Sequence, residues 1–243
     1  GLYTGICGPN GPGIELVELP EKASVRFGQL SGPLRIIDCG RANIICYVHY
    51  YELTIAGAKL PKTGLTGFLF HNDAVHGYAL TVKDNQDVVV GDFYSESNMQ
   101  YLLCEGGERS GKGRVTIGAQ KISTKNPESV TIHDYEGCIY IGGGDAWVQE
   151  KTNDTRMSFS HSGNRPLTFI VAGCGFWLFE PEIKLGKGAR LASFGNIITG
   201  NNYPEVGKKS LPVQLPDGAM EEVSGALDHF RRLGALNIKM NYE

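Results

Sequence analysis

Apolar residues in this chain come in short alternating runs, with almost no helical spacing until the end. Runs rich in Val, Ile, Leu, Tyr and Phe are separated by clusters of Gly, Asn, Asp and Lys, the pattern of strands bounded by turns. It predicts strands at 34–38, 44–51, 53–55, 68–70, 79–82, 88–94, 101–104, 114–117, 130–133 and 138–141. Further strands are expected at 157–160, 167–172, 176–179, 190–194 and 197–199. Strands this numerous and this closely spaced indicate an all-β fold.

The runs also repeat loosely. Val88-Val-Val-Gly and Val115-Thr-Ile-Gly lie 27 residues apart, and the steps Val88, Leu102, Val115, Val130, Ile139 measure 14, 13, 15 and 9 residues. A solenoid returns on itself after roughly 20–30 residues, although a β-sandwich of regular hairpins produces similar spacing. Turn chemistry favours the solenoid, with a closed jelly-roll sandwich as the alternative. The tight-hairpin pair Asp-Gly occurs only at Asp217-Gly218, whereas the strand connections carry Asn85, Asn98 and Asn126. Asn tolerates left-handed turn conformations, which suit a loop that turns the chain sideways without reversing it.

Past residue 200 the character changes. Residues 201–216 read as a linker rich in Pro, Gly and Lys. Asp217 then stands as an N-cap, Met220, Val223, Leu227, Phe230 and Leu233 share one helical face, and Gly234 follows. This predicts an amphipathic helix over 218–233, bracing the end of the strand region. The expected organisation is a strand domain over 1–200 and a linker plus helix over 201–243.

Composition narrows the function classes. Of 243 residues, 23 are Lys or Arg and 26 Asp or Glu, a formal charge of −3. So balanced a chain lacks the clustered cations that bind nucleic acid independently of sequence. No apolar run approaches the roughly 18 residues of a membrane-spanning helix. The start, Gly-Leu-Tyr, has neither Met nor a signal-peptide pattern, so a processed chain is expected, with a secreted or periplasmic location among the options. The six cysteines are irregularly spaced, without CxxC, and those within apolar runs read as small buried thiols. The 33 glycines show no triplet period, which excludes collagen.

Three stretches carry a resemblance. They are Gly-Tyr-Ala-Leu-Thr-Val-Lys-Asp-Asn-Gln-Asp-Val-Val-Val-Gly-Asp-Phe-Tyr-Ser-Glu (77–96), Gln-Tyr-Leu-Leu-Cys-Glu-Gly (100–106) and Gly-Arg-Val-Thr-Ile-Gly (113–118). Alternating apolar strands, Gly/Asn/Asp turns and Val-x-Ile/Val-x-Gly strands of this kind resemble the right-handed parallel β-helix proteins of the pectate-lyase-like superfamily. The resemblance implies a right-handed parallel β-helix with a shallow groove for a polysaccharide or oligosaccharide. It also implies either cleavage of glycosidic bonds, by a hydrolase or a lyase, or a non-catalytic role as a glycan-binding, tailspike-like or adhesin-like module.

The residues supply candidates for each chemistry. Hydrolysis needs one protonated and one ionised carboxyl group flanking the bond. In a strand Asp92, Tyr94 and Glu96 share a face, and Glu105 at the end of the next strand is expected to stack nearby. A lyase needs a base beside a neutralised carboxylate; His133-Asp134-Tyr135 offers His133 or Tyr135 as base, with Arg109 or Arg114 as the cation. Trp147 is a candidate platform for a sugar ring. His71, Asp73 and His76 match no strong ligand spacing, so neither metal nor cofactor is expected. His161 and Arg165 read as surface residues. The open ends of a short solenoid make homo-oligomerisation, or completion by another chain, an expectation.

Overall fold

A computed structural model describes residues 13–30, 32–40, 42–49, 52–57, 62–65, 78–91, 93–96, 100–107, 112–118, 120–124, 128–148, 158–177, 182–194, 196–200, 213–214 and 220–222. Every regular element among them is a strand, and the strands form two sheets paired throughout in parallel. The first sheet runs Ile14–Val17, Leu34–Ile37, Leu53–Ala56, Tyr78–Val82, Gln100–Glu105, Glu128–His133, Ser158–Ser162, Glu182–Lys184 and Val213–Gln214. The second runs Ser24–Leu30, Asn43–His49, Lys62–Leu65, Asp87–Val90, Gly113–Ile117, Gly137–Val148, Leu167–Trp177, Ala189–Phe194 and Met220–Glu222. Phe93–Glu96, Gln120–Thr124 and Ile197–Gly200 extend the second sheet alongside the distal parts of its two long strands.

The chain therefore passes back and forth between the sheets, and within each sheet a strand pairs in parallel with the equivalent strand one repeat on. Hairpins cannot do this, so the sandwich reading fails, and the arrangement is compatible with a parallel β-solenoid. It also explains the uneven steps in the sequence. Val88, Val115 and Ile139 are register partners in the second sheet, while Leu102 and Val130 are partners in the first. Each step crosses between sheets, and two steps make one repeat.

Between the sheets, like side chains stack in columns. Leu34, Leu53, Leu80, Leu102, Val130, Phe159 and Ile183 form one, and Val88, Val115, Ile139, Phe169 and Leu191 another. All are buried. A fully buried side chain of this size contributes about 1.5–3 kcal/mol over an exposed one, so these columns supply the main cohesion. Cys39, Cys46, Cys104 and Cys174 are buried thiols outside any disulfide, as apolar settings predicted for Cys46 and Cys104, whereas Cys138, expected to be buried like them, is only half-buried.

The corners after the six first-sheet strands from Leu34–Ile37 to Ser158–Ser162 follow a rule of their own. Asp38, Asp84 and Asp134 all adopt left-handed φ values, 50°, 56° and 49°. The corners between and beyond them hold Gly57, Gly106 and Gly163, two of which also have positive φ, 136° at Gly57 and 102° at Gly163. The Asp side chains tie adjacent corners together: Gly57 N–H donates to Asp84 Oδ2 at 3.1 Å, and Asn164 N–H to Asp134 Oδ1 at 3.2 Å. A Cβ at Gly163 would lie 2.9 Å from Asp134 Cα, so only glycine fits beneath that carboxylate. Asn85 is left-handed too, at 51°, as expected of a turn Asn; Asn98 and Asn126 lie outside the described residues.

The C-terminal expectation needs correction. Met220–Glu222 was expected inside a helix, but it pairs as a parallel strand with Arg190–Ala192. The edge of the preceding strand presents unpaired N–H and C=O groups, and ladder pairing satisfies them where a helix could not. The rest of 218–233, and the strand expected at 68–70, lie outside the described residues.

Candidate functional site: a cationic hollow on the second sheet

Alternation along a strand sends every second side chain outward, and parallel register lines those residues up across the sheet. On the outer face of the second sheet, Arg114, Cys138, Thr168 and Arg190 are successive register partners. They line an open hollow of about 850 Å³, together with Asp87 and Lys112. Lys112, Arg114 and Arg190 are exposed, while Cys138 and Thr168 are half-buried between the arginine positions. With strands about 4.8 Å apart, three ladder steps set the backbones of Arg114 and Arg190 about 14 Å apart. Three cations against one carboxylate make a floor suited to an extended anionic ligand.

Burial raises the pKa of the Cys138 thiol above its ordinary value, and Arg114 opposes the rise without reversing it. Cys138 is thus a neutral thiol at pH 7, a packing group rather than a nucleophile. No family model, curated protein or solved structure matches the chain.

The sequence candidates divide by where the sheets place them. Arg114 lies in the hollow. Asp92 and Arg109 fall outside the described residues. Tyr94 and Glu96 belong to the Phe93–Glu96 strand, whose partners are Lys121 and Ser123 in the second sheet. Glu105 does not stack on them. It ends the Gln100–Glu105 strand of the first sheet, whereas Glu96 belongs to the second. Its carboxylate pairs with Lys83 Nζ at 3.1 Å, and its register partner is His133. Trp147 is placed by register opposite Ser123 and Trp177, so Glu96, Ser123, Trp147 and Trp177 occupy one row of the sheet.

The cluster His133-Asp134-Tyr135 does not converge on a site. His133 is exposed, with Nδ1 2.9 Å from Ser162 Oγ. Asp134 braces the corner and lies 3.8 Å from Arg165 Nε. Tyr135 is wholly buried and donates its hydroxyl to the Gln86 carbonyl at 2.9 Å, so it is a structural group and not a base. The chain turns inward at this corner, sending three consecutive residues in three directions. His161 is likewise not a surface residue; it stands in the inner column of the first sheet, opposite Ile132, and is 6% exposed. Among the described residues no three His, Cys, Asp or Glu side chains gather as a metal site would require.

Sequence reasoning did not find Cys138, Thr168 or Arg190. The signal was available in the repeat: counting outward positions at two-step intervals from Arg114 leads to all three.

Proposed function

We propose that this chain is a right-handed parallel β-helix protein that binds an acidic polysaccharide or oligosaccharide across the outer face of its second sheet. The observation that carries this reading is the in-register row from Arg114 to Arg190, flanked by Lys112 in an open hollow. A repeating anionic chain meets such a row with regularly spaced carboxylate or sulfate groups. Guanidinium groups hold these through paired hydrogen bonds. The half-buried Thr168 supplies a hydroxyl between the two charged ends.

Glycosidic cleavage, as a hydrolase or lyase, is the catalytic form of the same reading. Hydrolysis would fall to Asp92 with Glu96; a lyase would use His133, which keeps an exposed imidazole while Tyr135 is occupied inside. The test is a titration with oligogalacturonate and with its neutral methyl ester, followed by assays of new reducing ends and of ultraviolet absorbance. Binding of the acidic ligand should weaken several-fold from low to physiological salt and fall at least tenfold in Arg114→Ala combined with Arg190→Ala. Equal affinity for acidic and neutral ligands would sink the electrostatic reading. New reducing ends would establish hydrolysis, and reducing ends together with absorbance a lyase.

A further inference from the structure

Beside the cationic row, two residues further along each strand, runs a second outer row: Val89, Thr116, Tyr140, Ile170 and Ala192. Tyr140 is its only aromatic member and is half-buried. Its ring does not stand in a gap between side chains. A Cβ built on Gly142 would collide with Tyr140 Oη and Cζ, so the phenol lies along its own strand in the space that a side chain at 142 would fill. Gly142 pairs in register with another small residue, Ala172. The ring thus lies over Gly142, and Tyr140 keeps part of its surface exposed. Two strand residues span about 6.6 Å, so this ring begins where the hollow ends.

We propose that Tyr140 is an aromatic platform for a sugar ring bound next to the cationic hollow, and that Gly142 exists to keep the phenol flat. This rests on the glycan reading above and adds to it a residue that recognises the apolar face of a sugar whatever its charge. An aromatic face packs against the C–H face of a pyranose, and Thr116 on the neighbouring strand offers a hydroxyl to its edge. The ligand class is then narrower than an anion. It is a pyranoside chain that presents a charged group to Arg114 and a C–H face to Tyr140.

The two contributions separate by charge and by salt. Affinity for oligogalacturonate and for its neutral methyl ester would be measured at low and high salt in the wild type, Y140A, Y140F, G142A and R114A. Tyr140→Ala should weaken both ligands by about three- to tenfold, equally at both salt concentrations, as expected for a lost aromatic contact. Tyr140→Phe keeps the ring and should bind as the wild type does. Gly142→Ala meets only the movable end of a side chain, so it should fold normally yet bind like Y140A. R114A should lose the acidic ligand alone, mostly at low salt. Unchanged binding by Y140A would overturn the platform whatever R114A does. A wild type that binds neither ligand would overturn both the platform and the glycan reading, while an effect of Y140A without one of R114A would overturn only the charge argument.

Discussion

His161 is the residue most at odds with its surroundings. It occupies an inner column otherwise held by Ile36, Ile55, Val82, Cys104 and Ile132. Its Nδ1 accepts a hydrogen bond from Gly186 N–H at 3.0 Å, which places the ring proton on Nε2, a buried atom with no partner among the described residues. Burial holds its pKa below the usual 6.5; Asp134 opposes that shift and His133 adds to it. The folded chain thus binds fewer protons here than the unfolded one. The stability this site contributes is complete above pH 6.5, falls as the pH drops through 6.5 towards the lower folded value, and levels off below it. Urea denaturation at pH 7.5 and pH 5 should show a loss of stability in the wild type that His161→Leu largely removes. An equal loss in the variant would assign the acid sensitivity elsewhere.

At the scale of the element, the corners matter as much as the strands. Gly163 has φ 102°, and a Cβ there would press on Asp134. Gly163→Ala should therefore cost about 1–3 kcal/mol, read as a lower urea midpoint with an unchanged slope. The strands were legible from apolar alternation because it reports which face of a strand is buried. That is why 34–38, 101–104 and 114–117 fall within a residue or so of the observed limits. The run 88–94 was read as one strand, yet the chain ends one strand at Val90 and starts another at Phe93. Gly91-Asp92 between them is a turn signal, outweighed by the apolar residues on either side. The corner rule was hidden for another reason. An Asp and the Gly beneath it belong to different repeats, and their relation appears only once the register is known. The same register brought Arg190 to Arg114, whereas Glu105 was grouped with Glu96 by nearness in sequence, which a chain passing between sheets does not preserve.

For the whole molecule, parallel pairing makes each strand depend on its two neighbours in the sheet. Interior strands gain from both sides, and the first described strand, Ile14–Val17, from one. Val17 is 52% exposed, and Ile14 and Leu16 are only partly buried, whereas Leu102, Val115, Val130 and Ile139 are buried completely. Amide hydrogen exchange should be slowest at those four positions and in their partners, and fastest in Ile14–Val17. Uniform protection from Ile14 to Arg190 would show instead that the molecule opens only as one unit.

Stacked partners in the first sheet are as few as 19 residues apart, from Leu34 to Leu53, and as many as 30, from Ile183 to Val213. The columns between the sheets stay in line across that whole range, so the interior register tolerates repeats of different length. Doubling the length of a flexible loop costs only about 0.6 kcal/mol in closure entropy. The fold thus behaves as a rack of fixed shelves with adjustable brackets. Foreign peptides spliced into the longer connections would be displayed at regular heights along one flank, while the hollow and its tyrosine stay on an untouched wall.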